Sequence, residues 1–166
     1  MSTRWRPSVT VAAVIERDGR YLLVEEETPE GLRLNNPAGH LEAGESLVQA
    51  VVREALEETA RAFVPEALLG VYMARSAQPS SADTTYVRFA FRGRIGAPEP
   101  GRALDAGIVR TLWLTPDEIR ACRARHRSPL VLRCVEDHLA GIRHPLATLV
   151  TDASVYAPEL KGGSAP

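Results

Sequence analysis

The chain has 166 residues, a formal net charge of −1 and a hydrophobic fraction of 45%. This length suffices for one domain with a full core and is too short for two ordinary domains. A net charge close to zero gives no electrostatic basis for binding nucleic acid or a membrane surface. We therefore expect a single domain over residues 1–152 and a flexible tail over residues 153–166.

No segment of the sequence resembles a targeting or membrane signal. The first ten residues lack the apolar core of a signal peptide, and the longest apolar runs are shorter than a membrane span. Cys122 and Cys134 match no metal or redox spacing and are predicted to be free thiols. His126, His138 and His144 share no ligand spacing either. These features favour a cytoplasmic protein.

The first forty residues predict two strands and a crossing segment. The continuous apolar run Val9–Ile15 predicts a buried strand, and the Asp-Gly pair that follows predicts a hairpin turn. A second strand is predicted over Tyr21–Glu26. Residues 27–35 contain a proline and a glycine, and we expect them to cross as a loop to a tight turn over residues 35–40.

A helix over Leu47–Thr59 is the strongest local prediction, because Ser46 and Gln49 have the spacing of a capping box. Three acids fall at i, i+3 and i+4 on this helix and so share one side: Glu54, Glu57 and Glu58. The residues predicted to pack on a sheet are Val48, Val52, Ala55, Leu56 and Thr59. The acidic side is either a solvated surface or a site for a hard cation, because carboxylates suit Mg²⁺ and Mn²⁺.

The middle of the chain predicts an antiparallel pair of strands. Two strands, over Arg61–Val64 and Leu68–Arg75, are expected around a turn at Pro65. The polar residues 76–83 form either a plain hairpin loop or a lid over a substrate. The alternating segment Thr84–Arg92 predicts the next strand. Arg88 within it is either a surface charge or a contact to a phosphate or base.

The last part of the chain predicts a loop, a strand and two helices. Residues 95–107, rich in Gly, Pro and Ala, are expected to form a loop that carries Glu99 and Asp105. A strand follows over Ile108–Leu114. Thr115 caps one short helix, and a second helix runs from Ser128 to about Ala140.

The segment around the acidic helix resembles the Nudix box, G-x5-E-x7-R-E-U-x-E-E-x-G-U, in which U is a bulky apolar residue. Six positions have the required residue at the required spacing: Gly39, Glu45, Arg53, Glu54, Glu57 and Glu58. Two positions depart from the pattern, since Ala60 replaces the last glycine and Arg61 the last apolar residue. Neither departure removes a metal ligand of the box.

The resemblance implies an α/β (α+β) fold in which a mixed β-sheet is sandwiched between α-helices. It also implies a hydrolase that uses Mg²⁺, with Mn²⁺ as the other candidate. The implied metal ligands are the Gly39 carbonyl with Glu54, Glu57 and Glu58. Arg53 would orient a box carboxylate and Glu45 would complete that network. Glu54 is our first choice of general base, although the sequence does not separate it from the other two acids. Family members often recruit one further acid from the later loop, and no motif selects between Glu99 and Asp105.

Three further stretches, NNPAGHLEAGESL, YVRFAF and RSPLVLRCVEDHLAGIRHPL, resemble the bacterial NudJ-type phosphatase branch of this family. That resemblance implies release of orthophosphate from nucleoside tri- and diphosphates, and action on the pyrophosphate of the thiamine pyrimidine precursor. The alternative is a Nudix pyrophosphatase that cleaves nucleotide sugars or dinucleoside polyphosphates. A non-catalytic nucleotide sensor is disfavoured, because a sensor needs no complete acid set. The implied partner is a small phosphorylated molecule, and the sequence leaves a monomer and a homodimer open.

Overall fold

The computed structural model describes residues 4–76 and 83–157, and within them seven strands form one mixed sheet. The order along the sheet is β3-β2-β1-β6-β5, with β4 paired to β1 and β7 paired to β2. Only the β1–β6 pairing is parallel among these described strands. The strands are β1 (Ser8–Arg17), β2 (Arg20–Thr28), β3 (Gly31–Asn35), β4 (Ala38–His40), β5 (Arg61–Ser76), β6 (Thr84–Pro98) and β7 (Ile108–Leu114).

Helices cover both faces of the sheet, as the resemblance implied. They are α1 (Leu47–Thr59), α2 (Pro116–Ala121) and α3 (Leu130–Leu139), and short 3₁₀ turns occupy Arg123–Arg125, Leu146–Thr148 and Ala153–Tyr156. One core layer packs α1 against alternate residues of β1, and the other packs α2 and α3 against the residues between them. Because β1 is buried on both faces, it is continuously apolar rather than alternating. The predicted fold class is confirmed.

The segment after β2 differs from the prediction. Residues 27–35 do not cross as a loop, since β2 continues to Thr28 and turns directly into β3, which pairs with it antiparallel. Exposure falls along β3 from Leu32, which is half-exposed, to Leu34, which is fully buried, so the strand enters the core at its C-terminal end. The expected tight turn over residues 35–40 is also wrong in part, because β4 pairs with β1 there.

The segment after α1 forms one strand where two were predicted. β5 runs through Pro65 without a turn, and it accommodates the proline by register shifts against β6 on either side of it. β5 lies at the edge of the sheet, where a proline removes no ladder hydrogen bond from an inner strand. β6 extends to Pro98, so the predicted loop over residues 95–107 is wrong for its first four residues. Ile95 belongs to the core on the α1 side.

Helix α1 has the predicted bounds and the predicted capping box at Ser46. The predicted packing face is confirmed for Val48, Ala55 and Thr59, which are buried or pack against the core. It is rotated at its edge, because Ala50 and Val51 are fully buried while Val52 and Leu56 are only partly buried. Glu54 and Glu58 are also buried at the border between the sheet and a cleft. Helix α1 therefore buries Glu54 and Glu58 as well as its apolar residues.

Several predictions concern the ends and loops. Residues 77–82 and 158–166 lie outside the described residues, and with them most of the predicted lid and tail. The single domain over residues 1–152 stays a prediction.

Within the described part of the chain, helices long and apolar enough to cross a membrane are absent. Both cysteines are free thiols, as predicted.

Candidate active site

Helix α1 and strand β4 meet at a very close approach. A Cβ built on Gly39 would overlap the carboxylate of Glu54, at a separation that real Cβ atoms essentially never show. Glycine at this position is therefore required by the carboxylate beside it, not by a positive backbone φ, since Gly39 has none. The structure thus places Gly39 and Glu54, two of the predicted site residues, in direct contact.

Arg53 is the centre of an ion-pair network with three predicted site residues. Its Nε donates to Glu45 Oε2 at 3.0 Å, and its Nη2 donates to Glu45 Oε1 at 2.7 Å. Its Nη1 donates to Glu54 Oε1 at 2.7 Å and to Glu57 Oε2 at 3.0 Å. The guanidinium also donates to the carbonyl of His40 at 2.9 Å, which ties the network to β4. Hydrogen bonds from Arg53 hold the pKa of Glu45 below its usual range.

Glu54 and Glu58 are carboxylates in a water-poor environment. Glu58 Oε2 accepts a hydrogen bond from the backbone amide of Ala38 at 2.8 Å. Burial, with the nearby charges of Glu26, Glu54 and Asp105, raises the pKa of Glu58 to about 8. Burial also raises the pKa of Glu54, against the opposing effect of Arg53. Both pKa values are raised mainly because burial disfavours the charged carboxylate, and the neighbouring negative charges add to this effect.

Of the two acids suggested in the later loop, the structure brings Asp105 to this site. Asp105 lines the same cleft as Glu54 and Glu58, and its backbone amide donates to the carbonyl of Glu57 at 2.9 Å. Glu99 is held elsewhere, in an exposed pair with Arg102 at 3.2 Å. The hydrogen bond to the last turn of α1 is a long-range feature that the sequence did not reveal.

The acids face a cleft of about 680 Å³. Arg88 of β6 lies on its lining and is 7% exposed, so it is not the surface charge that was one of the two predicted alternatives. Its Nη2 donates to Asn35 Oδ1 at 3.3 Å. Sequence reasoning missed Thr10 and Glu26, which also line the cleft. Three consecutive acids, Glu25, Glu26 and Glu27, at the end of an apolar strand were the available signal, because successive side chains of a strand point to opposite faces.

The residues present suit a divalent cation in their chemistry. Carboxylate oxygens from α1 and from the later loop point to one cleft, and the glycine on β4 leaves room beside them. Within the described residues, no three acidic, imidazole or thiol side chains are arranged as a coordination cluster. Each of the three box acids is instead bonded within the protein, since Arg53 donates to Glu54 and Glu57 and the amide of Ala38 donates to Glu58.

Comparison with known proteins identifies the family. Residues 4–134 match the family model described as the NUDIX domain. The chain belongs to the Nudix family. Phosphatase NudJ of Escherichia coli K12 is 36% identical to this Nudix protein over 143 residues, which cover 86% of this chain and 90% of the relative. This similarity confirms the predicted resemblance to the NudJ-type branch.

Solved structures agree with the family. A NUDIX hydrolase from Nitrosomonas europaea is 54% identical, with a TM-score of 0.82 over 89% of this chain and 98% of that one. A MutT NUDIX hydrolase from Burkholderia pseudomallei is 23% identical, with a TM-score of 0.66 over 80% of this chain and 98% of that one, and shows the shared fold. The protein is thus a Nudix hydrolase that acts on phosphoanhydride bonds.

The two departures from the Nudix box lie at the exit of α1. Ala60 is in the left-handed region at φ 53° and caps the helix through its amide, which donates to the carbonyl of Leu56. Arg61 begins β5 and donates to the carbonyl of Gly96 at 3.0 Å. Neither residue lines the cleft, so both substitutions leave the acidic residues of this Nudix site intact.

Proposed function

We propose that this protein is a Mg²⁺-dependent phosphatase that releases orthophosphate from nucleoside tri- and diphosphates and from the pyrophosphate of the thiamine pyrimidine precursor. The observation that carries the proposal is the convergence of Glu54, Glu58 and Asp105 on one cleft. A polyphosphate brings several negative charges, and it approaches such an acidic site only together with a cation. The likeness to Phosphatase NudJ supports phosphate release in particular.

Glu54, Glu57 and Glu58, with the carbonyl of Gly39, would hold Mg²⁺ or Mn²⁺. The bound cation would neutralise the phosphates and polarise the phosphoryl oxygen. Asp105, which lines the same cleft, would add a further oxygen ligand. Because Arg53 ties Glu54 and Glu57 to Glu45, it would fix the carboxylates in one orientation.

Glu54 is our proposed general base. It is buried in the cleft, one of its oxygens accepts a hydrogen bond from Arg53, and burial raises its pKa above the usual value. A base whose pKa lies nearer the working pH accepts a proton from water more effectively. If orthophosphate is the product, the water attacks the terminal phosphorus and its proton passes to Glu54 as the new oxygen–phosphorus bond forms. The bond from that phosphorus to the bridging oxygen then breaks, and the shortened phosphate chain leaves with the bridging oxygen.

The product distinguishes this proposal from the alternative pyrophosphatase on nucleotide sugars or dinucleoside polyphosphates. The protein is incubated with Mg²⁺ and a panel of these compounds, together with nucleoside tri- and diphosphates. Orthophosphate is then assayed with and without added inorganic pyrophosphatase. We expect direct release of orthophosphate from the nucleoside tri- and diphosphates. Orthophosphate that appears only with the added enzyme contradicts the phosphatase assignment.

A matched variant tests whether the acids do the chemistry. Glu57→Gln keeps the size of the side chain and its hydrogen bond to Arg53 but removes its negative charge. We expect this variant to melt like the parent and to lose turnover on every substrate of the panel. Unchanged turnover contradicts the metal assignment, whereas absence of turnover in the parent on every substrate of the panel would reopen the third hypothesis, a nucleotide sensor.

A further inference from the structure

The cleft is lined by residues whose buried polar atoms have no hydrogen-bond partner among the described residues. Four buried atoms of cleft-lining residues lack a hydrogen-bond partner in the described structure: Thr10 Oγ1, Glu26 Oε1, Arg88 Nε and Arg88 Nη1. Buried polar groups are almost always paired in native proteins, so a cluster of unpaired ones requires an explanation. Since all of them line one cleft, we infer that they are paired when a ligand occupies it.

The charges of these atoms restrict the ligand. Glu26 and Arg88 carry opposite charges and line the same cleft, yet no ion pair within 4.0 Å joins them among the described residues. Glu26 Oε1 has Arg127 Nε as a distant partner, at 3.8 Å, and Arg88 Nη2 donates to Asn35. Arg88 also has the weakly polar thiol of Cys134 beside it, and Glu26 has Asn35. Glu26 Oε1 and two donor nitrogens of Arg88 still lack a hydrogen bond among the described residues and can bind a third group.

A phosphate group does not suit this position. It would bring negative charge beside the carboxylate of Glu26, which interacts electrostatically with Arg88 and is not one of the acids proposed to hold the cation. A neutral, planar group with a donor and an acceptor side by side satisfies Glu26 and Arg88 together. The hydrogen-bonding edge of a nitrogen heterocycle, such as a nucleobase or an aminopyrimidine, has this chemistry.

The walls of the cleft also fit a flat ring. Tyr86 and His40 both line it, with ring centroids 6.3 Å apart and a tilt of 54° between their planes. Pro129 and Leu130 contribute apolar surface to the same cleft. Aromatic and apolar walls around a few fixed polar atoms are typical of pockets that select a heterocycle.

We propose that Glu26 and Arg88, with Thr10, form the specificity site for the heterocycle of the substrate. This deepens the proposed function, on which it rests for the orientation of the substrate, with the phosphates toward Glu54, Glu58 and Asp105. Glu26 accepts a hydrogen bond from a ring N–H or amino group, and Arg88 donates to a ring nitrogen or carbonyl oxygen.

The test compares ligands that differ only in the ring. Binding of the four ribonucleoside 5′-monophosphates is measured by calorimetry against ribose 5-phosphate, and a 4-aminopyrimidinylmethyl phosphate is measured against benzyl phosphate, with Mg²⁺ throughout. We expect at least one heterocyclic ligand to bind about tenfold or more tightly than its reference, because the reference leaves the buried polar atoms unpaired. Equal binding of all ligands and references overturns the proposal.

Glu26→Gln then tests the residue. We expect it to reduce the preference for the heterocycle to about threefold or less while ribose 5-phosphate binds as before, since only the acceptor for the ring is altered. Glu27→Gln is the matched control, because Glu27 is the next residue of β2 and is exposed outside the cleft. An unchanged preference in Glu26→Gln overturns the proposal, and so does an equal loss of affinity for ligand and reference.

Arg88→Lys separates the two roles open to the arginine. It keeps the positive charge and removes the planar donors. We expect it to weaken binding of the preferred heterocycle and to leave binding of ribose 5-phosphate unaffected. Weakened binding of ribose 5-phosphate would make Arg88 a phosphate contact instead.

These binding measurements do not require the protein to hydrolyse any ligand. A variant series that behaves as expected in a protein that releases no orthophosphate would contradict the proposed reaction and leave the specificity site standing.

Discussion

The carboxylate of Glu54 packs directly against the Cα of Gly39, so that helix α1 and strand β4 fix each other's position at the centre of the acidic site. Gly39 is held by the pairing of β4 with β1, and Glu54 is held by Arg53. A side chain at residue 39 has no free volume on the side of the carboxylate. The spacing between the glycine and the acid in the Nudix box is therefore a packing requirement as well as a chemical one.

Gly39→Ala should displace Glu54 and lower activity while the protein remains folded. The added methyl group meets the end of a flexible side chain, which moves aside more easily than backbone. A misplacement of about 1 Å in a catalytic group lowers the rate on the order of 100-fold, and we expect a fall of that size in kcat/KM. Gly96→Ala is the control, because its Cβ would lie 3.7 Å from the nearest atom, the carbonyl oxygen of Ala62. Equal activity of both variants would contradict this account.

Arg53→Lys should impair catalysis more than stability. A lysine ammonium cannot reproduce the geometry in which Nε and Nη2 bind both oxygens of Glu45 while Nη1 binds Glu54 and Glu57. We expect kcat to fall by roughly 10- to 100-fold as the carboxylates lose their orientation. Arg102→Lys provides the comparison, since Arg102 forms an exposed pair with Glu99. If the two variants retain similar kcat values, the network does not orient the acids.

Asp105→Asn tests which acid of the later loop belongs to the site. Asp105 lines the cleft, whereas Glu99 is paired with Arg102 at the surface. We expect Asp105→Asn to raise the Mg²⁺ concentration needed for half-maximal activity by about tenfold or more, since an oxygen ligand loses its charge. Glu99→Gln should leave that concentration unchanged. The reverse ranking would assign the role to Glu99.

The buried acids should also make the metal-free protein less stable as the pH rises. Burial raises the pKa of Glu58 from 4.5 to about 8, so between these values the folded protein holds a proton that the unfolded chain has released. Unfolding therefore becomes more favourable as the pH increases through this window. In EDTA, we expect Tm to fall from about pH 5 to about pH 8 by several degrees more in the parent than in Glu58→Gln.

Added Mg²⁺ supplies the check on that interpretation. A cation competes with the proton for the same carboxylates, so its stabilising effect should be larger at the alkaline end of the window than at the acid end. Melting curves with and without Mg²⁺ at both ends measure this difference. Parallel pH profiles for the parent and Glu58→Gln in EDTA would show that Glu58 keeps an ordinary pKa.

The sequence predicted the local features of the site well because they depend on local spacing. The capping box at Ser46 and the helical periodicity gave α1 its bounds, and both are confirmed. The strands were harder to predict, since their pairing is decided by distant partners. β3 was taken for a crossing loop because Pro29 and Gly31 signal a turn, and the strand is defined by its pairing with β2 rather than by its own sequence pattern.

The sequence suggested Arg88 as a possible substrate contact, but it did not predict the other residues of the cleft interior, for the same reason. Thr10, Glu26 and Arg88 come from three different strands, β1, β2 and β6. Which face of a strand is buried depends on the whole sheet and its covering helices, not on the strand's own sequence. The rotation of α1 has a similar origin: the apolar pattern predicted one packing face, and burial of Glu54 and Glu58 shifted it.

The exit of α1 leads to a prediction about stability alone. Ala60 has a φ of 53°, a conformation that strains any residue with a Cβ, and glycine stands at this place in the Nudix box. Ala60→Gly should relieve that strain and stabilise the protein by up to about 1 kcal/mol, which corresponds to about 2–4 °C in Tm for a chain of this size. Ala62→Gly is the matched control, because Ala62 is an exposed residue of β5 with negative φ, where glycine should destabilise by roughly 0.5–1 kcal/mol. Thermal melts of the two variants in the same buffer should therefore shift in opposite directions, with kcat unchanged because neither residue lines the cleft. A lower Tm for Ala60→Gly would mean that the buried methyl group of Ala60 stabilises the fold by more than its backbone strain destabilises it.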